Sequence, residues 1–448
     1  MKLTFKKSAA VLMAVTMVLG SAGCGAKAKE SAETGKADTT TEAGSQEETK
    51  SAEKVTLNVW HQWANDTNEL KGLYDAAAKR YMEANPNVTI NTQTLDTAAY
   101  KTKIATEFAG TASGIDVFYY WGAGMAKKLV DADKLLPLDD YITDEIKAKV
   151  RPGTTQAFEF NGKTYSLPTF SWYMTLFCNQ ELFDKAGAKI PATYPELLEA
   201  VGKLSKLEGI TPFVAGAKDG WNAGFIYEAL ALREVGAENI NKMLKGEAHF
   251  DDPGYTEAAK KLVELYKAGA FGKNPLETPH SDADAAFVGG TAAMRLMGSW
   301  YANNIYSDKA SVVKDKVVAA KIPMIEGKGN ASDYAGGFIE SFWVNKNTEH
   351  AKEAAKFAIY INEEMGKSAH ETGTGFTGWT TKVDESKLNP LFIQIGKLVN
   401  EGQSSVLAWD TALDANTASI HLEQVQSLFT SAGDPDKVVA AHKEAINK

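Results

Sequence analysis

The residues of this chain that could do chemistry do not form a known catalytic motif. The patterns HExxH, GxxxxGK[ST], GxSxG and CxxC are absent, and the seven histidines are dispersed, which gives no support for a clustered metal site. Residues 373–378 match GxGxxG, but they follow a predicted helix instead of a strand, which favours a loop over a nucleotide site. Carboxylates are too numerous to nominate a glycosidase pair. No cofactor, metal or catalytic residue is therefore predicted, and hydrolysis stays open as an alternative.

Aromatic rings are abundant, with nine tryptophans and sixteen tyrosines in 448 residues. Their faces are apolar and their edges carry a polar group, which suits them to binding sites as well as to cores. The net charge of −9 argues against a nucleic-acid partner, because phosphate contacts need a basic surface. Hydrophobic residues make up 44% and charged residues 23% of the chain. This composition and length are typical of a globular protein with more than one domain.

The N-terminus has the pattern of an export signal. Basic residues precede an apolar stretch at 9–19, which is too short to span a membrane, and small residues lead to Cys24. This resembles the lipobox of bacterial lipoproteins, with Ser21 where Leu is usual. Residues 1–23 are predicted to be a lipoprotein signal peptide and Cys24 the lipidated mature N-terminus; plain secretion is the alternative. Residues 24–53, which lack aromatic and large aliphatic side chains, are predicted to form a disordered tether.

From Val55 onward, predicted strands and helices alternate. Val55, Leu57 and Val59 alternate along a first strand, and residues 70–82 have helical spacing. The apolar run at 115–120 is typical of a strand buried on both faces. Further strands are predicted at 175–178, 292–297 and 317–322, and a capping box at Thr193 and Glu196. Helices are predicted at 225–235, at 253–267 and through most of 349–446. The alternation predicts an α/β fold with doubly wound, mostly parallel sheets.

Several segments, taken in order, resemble the extracellular solute-binding proteins (family 1) of bacterial carbohydrate ABC importers. They are residues 55–60, 81–86, 114–118, 134–139, 165–168, 179–187, 287–294, 298–300, 336–337 and 349–358. The likeness runs from Val55 to the C-terminus and is carried by the series, not by any one segment. Cys178 stands where this family often has Tyr, and its apolar neighbours indicate an inert core thiol.

The resemblance implies a periplasmic-binding-protein-like fold of type II: two doubly wound α/β lobes joined by a three-crossing hinge, with extra C-terminal helices. We place the crossings near 165–168, 283–287 and 334–337. Lobe 1 would comprise residues 54–166 and 286–335, and lobe 2 residues 167–285 and 336–448. A ligand would bind in the cleft between the lobes, which would close on it about the hinge.

Ligand contacts can be predicted from the chemistry of a sugar. A pyranose has an apolar C–H face, which aromatic rings cover, and a rim of hydroxyls, which carboxylate and amide groups bind. The candidate contacts are Trp63, Asn65, Asp116, Trp121, Trp172, Trp221, Trp300, Gly337, Trp409 and Asp410. Trp300 resembles a position where many family members stack a sugar ring. Arg295 is predicted to form an internal ion pair, because it lies inside a predicted strand.

The expected function is that of a cell-surface receptor, anchored by lipid to the outer face of the membrane. It would capture a neutral oligosaccharide and deliver it to the permease subunits of an ABC transporter, acting as a monomer. Alternatives are a binding protein for a polyol phosphate, a peptide or a uronic-acid oligomer, and, from another class, a secreted glycan hydrolase.

Overall fold

The computed structural model describes residues 53–66 and 68–447. The predicted signal peptide 1–23, the predicted lipidation site Cys24 and the predicted tether up to residue 52 lie outside the described residues. Within the described part of the chain, no helix combines the length and the apolar character needed to cross a membrane.

Strands and helices alternate along the described chain, as predicted. The elements of residues 55–186 are β1 (Val55–His61), α1 (Glu69–Ala84), β2 (Val88–Thr94), α2 (Thr97–Ala109), β3 (Val117–Trp121), α3 (Ala123–Asp131), α4 (Asp144–Lys149), β4 (Glu159–Phe160), β5 (Lys163–Thr164), β6 (Phe170–Asn179) and α5 (Gln180–Ala186). The elements of residues 194–307 are α6 (Tyr194–Leu204), β7 (Thr211–Phe213), α7 (Gly220–Val235), α8 (Ala237–Leu244), α9 (Pro253–Lys267), α10 (His280–Val288), β8 (Ala292–Gly298) and α11 (Tyr301–Ser307). The elements of residues 317–446 are β9 (Val317–Ala320), β10 (Asp333–Phe338), β11 (Glu340–Val344), α12 (Ala351–Thr372), β12 (Phe376–Thr377), α13 (Pro390–Asn400), β13 (Ser404–Val406), α14 (Trp409–Ala412), α15 (Ala415–Ser427) and α16 (Pro435–Ile446).

The first sheet has the strand order β11-β3-β1-β2. Strand β1 is parallel to both β2 and β3, and β11 is antiparallel to β3. All five residues of β3 are buried, as expected of a strand covered on both faces. Helices α1 and α12 pack on this sheet, where Tyr74 of α1 stacks on Phe342 of β11 with ring centroids 5.7 Å apart. We call residues 55–164 and 339–372, which build this sheet and its core, the first lobe.

The second sheet has the order β13-β10-β6-β8-β7, and β9 and β12 also pair with β6. Strand β6 is central and antiparallel to β8, β9 and β10. Helices α7 and α9 form the largest part of its core together with α6 and α15. The predicted capping box is present at the start of α6, where Thr193 and Glu196 bond each other's backbone N–H groups. We call residues 171–338 and 385–446 the second lobe.

The strand pairing assigns one segment differently from the prediction. Residues 286–335 were expected in the lobe of β1, but β8 and β9 pair with β6 and belong to the second lobe. Conversely, β11 and α12 complete the first lobe. The predicted crossing near 283–287 lies within α10, and the third passage between the lobes is instead residues 373–384, after α12. A buried strand such as β8 shows no periodicity that identifies its sheet, so the sequence could not assign its neighbours.

Candidate ligand-binding site

A cavity of about 250 Å³ lies between the two lobes, where the ends of β1, β3 and β8 meet the starts of β6 and β11. Its lining is mostly aromatic rings and carboxyl groups. The residues that line it are Gln62, Trp63, Asn68, Glu69, Leu70, Thr97, Lys101, Tyr119, Trp121, Phe170, Trp172, Trp221, Phe225, His280, Asp284, Met297, Trp300, Asn304, Glu340, Thr374, Ala408, Asp410 and Thr411.

Four rings form the wall of the second lobe. Trp172 of β6 stacks on Phe225 of α7, with centroids 5.3 Å apart and planes at 25°. Trp300 meets Trp172 edge-on at 5.0 Å, and Trp221 meets Phe225 edge-on at 5.2 Å. Trp221 and Trp300 are only partly buried, whereas Trp172 is 5% exposed. Trp221 and Trp300 therefore expose part of their indole rings to the cavity, and Trp172 and Phe225 pack against them and hold them in place.

The position of Trp300 depends on a glycine two residues before it. Trp300 precedes α11, and its ring folds back over Gly298 at the end of β8. A Cβ atom at Gly298 would lie 1.9 Å from the indole, so no other residue fits beneath this ring. The sequence segment 298–300 thus combines a strand end, a close backbone approach and an exposed ring.

The wall of the first lobe contains Trp63, Tyr119 and Trp121. The Trp63 and Tyr119 rings are 4.7 Å apart, and Tyr119 meets Trp121 edge-on at 5.8 Å. All three residues are buried, so they contribute edges and small faces to the cavity and are also part of the core. The Tyr119 hydroxyl and the Gln62 side chain are buried in this wall beside the Glu340 carboxyl group.

An ion pair joins the two lobes across the cavity. Lys101 of α2 donates to Asp410 of α14 at 3.1 Å, and its ammonium lies 4.6 Å from the centroid of the Trp121 ring. The Asp410 side chain is 7% exposed and that of Lys101 is 30% exposed. A second contact between the lobes is the hydrogen bond from Asn303 to the Glu69 carboxylate. These contacts hold opposite sides of the cavity together in this structure.

Glu340 is the carboxyl group nearest the passage between β10 and β11. It pairs in register with Trp121, and its side chain lies beside those of Tyr119 and Trp121. Burial raises the pKa of Glu340 to about 7, against the opposing effects of these neighbours and of Lys101. Burial likewise raises the pKa of Glu69. Both groups are therefore weaker acids than exposed glutamates and keep their protons to a higher pH.

Asp284 reaches the cavity from α10 and is held from behind by Arg295. The Arg295 Nε and Nη2 atoms lie 3.0 and 2.9 Å from Asp284 Oδ1, which confirms the predicted internal ion pair. Burial is the main effect on Asp284 and raises its pKa, with Arg295 and His280 opposing it. Arg295 is fully buried and also donates to Asn222 Oδ1 at 2.8 Å.

The structure brings most of the predicted contact residues together. Trp63, Trp121, Trp172, Trp221, Trp300 and Asp410 all line the cavity. Trp409 does not, because it is 1% exposed and packs against Tyr227 and His421 in the core of the second lobe. Asn65 is exposed on the loop after β1, outside the cavity.

Asp116 and Gly337 have structural roles in place of the predicted contact. Asp116 lies just before β3, where its carboxylate accepts from the Asn58 N–H at 2.7 Å and from the Thr348 hydroxyl. Asp116 therefore lies at the start of β3, whereas the cavity lies at the other end of this strand, where Trp121 lines it. Gly337 lies in β10, where it pairs with Trp172 of β6, and its φ of +140° favours glycine at this position.

Apart from Asp410, the charged and titratable groups of the site were not predicted from the sequence. Glu69, Lys101, Asp284, His280 and Glu340 all line the cavity. His280 and Asp284 are four residues apart on α10, a spacing that places them on one face of a helix and could have been noticed. The other side chains belong to elements whose relative placement the sequence does not encode locally. No group of three or more His, Cys, Asp or Glu side chains in the described part of the chain could hold a metal ion.

Comparison with known proteins places the chain in a family. A family model described as bacterial extracellular solute-binding protein matches residues 64–367. A protein solved in work on xylan utilisation by the thermophilic bacterium Caldanaerobius polysaccharolyticus superposes with a TM-score of 0.83 and 34% identity, over 88% of this chain and 100% of that one. A chitin oligosaccharide binding protein gives a TM-score of 0.79 and 25% identity, over 87% of this chain and 98% of that one.

A curated relative, an uncharacterized ABC transporter extracellular-binding protein of Pyrococcus horikoshii, is 25% identical over 425 residues, which is 92% of this chain and 93% of its own. The fold of two α/β lobes is that of type II periplasmic-binding-protein-like receptors. The chain belongs to the family of bacterial extracellular solute-binding proteins.

Proposed function

We propose that this protein captures a neutral oligosaccharide in the cavity between its lobes and delivers it to the permease of an ABC importer. The observation that carries the proposal is the lining of the cavity, in which indoles from both lobes face carboxyl and amide groups. Indole faces stack on the apolar faces of sugar rings, and the polar groups bind the hydroxyls at their rims.

The charges of the cavity support a neutral ligand over the acidic alternatives. Among the described lining residues, four are carboxylic acids and one is a lysine: Glu69, Asp284, Glu340, Asp410 and Lys101. The lysine is already paired with Asp410, and the one nearby arginine, Arg295, is paired with Asp284. A uronic-acid oligomer or a polyol phosphate would bring further negative charge to this site without a free cation to receive it.

The names of the similar proteins support the same ligand class. One solved neighbour comes from work on xylan utilisation, and a second is a chitin oligosaccharide binding protein. A curated relative over about half of the chain is the multiple sugar-binding protein of Streptococcus mutans, which is 26% identical over 245 residues. All three names or titles refer to carbohydrates.

The same proposal includes the place of the protein in the cell. The export pattern before Cys24 supports lipidation of that cysteine, which would hold the receptor on the outer face of the cell membrane with residues 25–53 as a tether. A receptor tethered in this way stays close to its permease. We propose that it acts there as a monomer, because the cavity is complete within one chain.

The test separates a receptor from a hydrolase and from a receptor of another ligand class. The folded part of the chain, expressed from Val55, is incubated with neutral tetrasaccharides, a uronic-acid tetramer, a polyol phosphate and a tetrapeptide. Binding is measured by calorimetry, and the sugars are then recovered and sized by chromatography. The proposal predicts binding of at least one neutral tetrasaccharide, which is recovered intact. Shortened products would show a hydrolase, and binding of only a charged or peptide ligand would show a different receptor.

A further inference from the structure

The second-lobe side of the cavity presents two polar groups from one helix, and these go beyond the aromatic platform. His280 and Asp284 are four residues apart on α10 and both line the cavity, beside Trp221 and Trp300. The His280 ring centroid is 5.1 Å from that of Trp221. Their side chains are 40% and 18% exposed, so both reach the space that a ligand would fill.

Each of these groups is fixed by a partner on the side away from the cavity. Arg295 binds Asp284 only through Oδ1, so Asp284 Oδ2 forms no hydrogen bond with the described residues. His280 Nδ1 lies 3.0 Å from Asp219 Oδ2, which also accepts the His280 backbone N–H at 2.7 Å. A carboxylate only accepts, so His280 Nδ1 carries a hydrogen in this contact.

We infer that Asp284 Oδ2 forms a subsite, beside His280 of the same helix, that accepts a hydrogen bond from a hydroxyl of a sugar residue stacked on Trp221 or Trp300. Arg295 is a positioning residue: it orients the Asp284 carboxylate towards the ligand and does not itself contact the ligand. The inference rests on the proposed function, and it adds a chemical requirement: the ligand must carry free hydroxyls where it faces α10, because a substituent without a donor would leave a buried acceptor unpaired.

Arg295 suits this role because its own environment fixes it. It is 0% exposed and, besides Asp284, its guanidinium donates to Asn222 Oδ1, the His280 carbonyl and Met297 Sδ. Asn222 Oδ1 in turn accepts the Gly216 N–H at 2.9 Å. The guanidinium is thus held in one orientation, and a planar fork of this kind fixes a carboxylate more rigidly than a lysine can.

The experiment is a thermodynamic cycle between the carboxylate and the ligand hydroxyls. The probes are xylotetraose, cellotetraose and maltotetraose; the one with the lowest Kd for the wild type is used together with its mono-deoxy derivatives. The proteins are wild type, Asp284→Asn, Arg295→Met and Arg295→Lys. The control is Asp333→Asn, a buried aspartate of the same lobe that accepts the Ala237 N–H and lies outside the cavity. Affinity and melting temperature are measured for each.

The inference predicts that Asp284→Asn weakens binding of the intact tetraose by about 10- to 100-fold, the range for losing a hydrogen bond to a charged group. At least one mono-deoxy probe should bind the wild type more weakly than the intact tetraose does, and should bind Asp284→Asn as well as the intact tetraose does. That probe identifies the hydroxyl that Asp284 binds. Arg295→Met should show the same loss of discrimination, with Arg295→Lys partly restoring it. Asp333→Asn should change only the melting temperature.

Three results would overturn the inference, and they differ from one another. An Asp284→Asn protein with wild-type affinity and the wild-type pattern of deoxy penalties would remove the subsite. An Arg295→Met protein that melts earlier but keeps affinity and discrimination would leave Arg295 with a structural role alone. A wild type that binds none of the three tetraoses would refute the proposed function first, and the subsite with it.

Discussion

The ring of Trp300 stands edge-on to the ring of Trp172, with centroids 5.0 Å apart and planes at 83°. Trp172 is buried against Phe225, while Trp300 is partly open to the cavity. One indole therefore fixes the other, and the outer face of Trp300 is presented to a ligand with little freedom left to lose on binding. Such preorganised aromatic groups contribute a large share of the affinity of many binding sites.

Trp300→Ala should weaken binding of the preferred oligosaccharide by on the order of 1–3 kcal/mol, or roughly 5- to 150-fold, because it removes a packed aromatic contact. Calorimetry measures the affinity, and thermal melting reports the loss of packing. Trp409→Phe is the matched control, since Trp409 is buried in the core and should affect melting alone. If Trp300→Ala only lowers the melting temperature and keeps wild-type affinity, Trp300 is a core residue.

Gly298→Ala should weaken binding without changing any group that faces the ligand. The new Cβ would overlap the Trp300 ring, so the indole must turn out of its place. The expected loss is smaller than for Trp300→Ala, on the order of 1 kcal/mol, because the ring is moved and not removed. Gly202→Ala in α6 is the control: a Cβ there meets nothing within 4 Å, so affinity should not change. Equal affinity of both variants would show that the position of the ring is unimportant.

Glu340→Gln should stabilise the protein at alkaline pH and have little effect in acid. Burial raises the pKa of Glu340 from 4.5 to about 7, so the folded state keeps a proton that the unfolded state releases. The contribution of this group to stability is fully present below about pH 4.5 and is lost as the pH rises through about 7, by up to about 3 kcal/mol. Glutamine cannot ionise and avoids that loss. Urea unfolding at several pH values measures the difference, and a difference that does not vary with pH would contradict the assignment.

Much of the fold could be predicted because its elements carry local patterns. The helix Pro253–Lys267 and the capping box of α6 are found at the predicted residues, since proline, capping residues and apolar spacing all act within a few positions. The sheet to which Ala292–Gly298 belongs could not be predicted in this way, because every residue of this strand is buried and its sequence has no periodicity that identifies its partner strands.

The residues of the candidate site, too, could be predicted only where a local sequence pattern identified them. Trp121 and Trp300 were identifiable because each follows a predicted strand, where cleft residues of α/β proteins are found. Trp409 lies in the core instead of the cavity, and the sequence could not show this, since a tryptophan beside an aspartate has the same local pattern in a cleft as in a core. The pairing of Lys101 with Asp410 joins residues that are 309 positions apart and follows from tertiary structure alone.

Ligand should make the particle more compact, because closed lobes bury the ligand and are favoured by its differential affinity. Small-angle scattering with and without saturating oligosaccharide measures this change.

Lys101→Met should expand the ligand-free protein and weaken binding by about 1 kcal/mol, or about five-fold, because it removes the ion pair between the lobes. Lys103→Met, which removes an ion pair within α2, is the control. An unchanged scattering profile at proven saturation would indicate a rigid site.

Cys24→Ala should release the protein from the membrane or leave it unprocessed. Lipidation requires the thiol of this cysteine, and stable attachment needs more than one acyl chain. Cell fractionation with an antibody against the folded part of the chain measures the distribution. Membrane retention equal to that of the wild type would refute the predicted anchor.

Binding of neutral sugar chains in the cavity can be tested by a single titration experiment. Wild-type protein is titrated by calorimetry with a neutral tetrasaccharide set and, in parallel, with a uronic-acid tetramer of matched length. Among the described residues that line the cavity, carboxyl groups outnumber the lysine, which is already paired with Asp410. We therefore expect saturable binding of a neutral tetrasaccharide and no binding of its acidic counterpart. Tighter binding of the acidic tetramer than of every neutral one would contradict it.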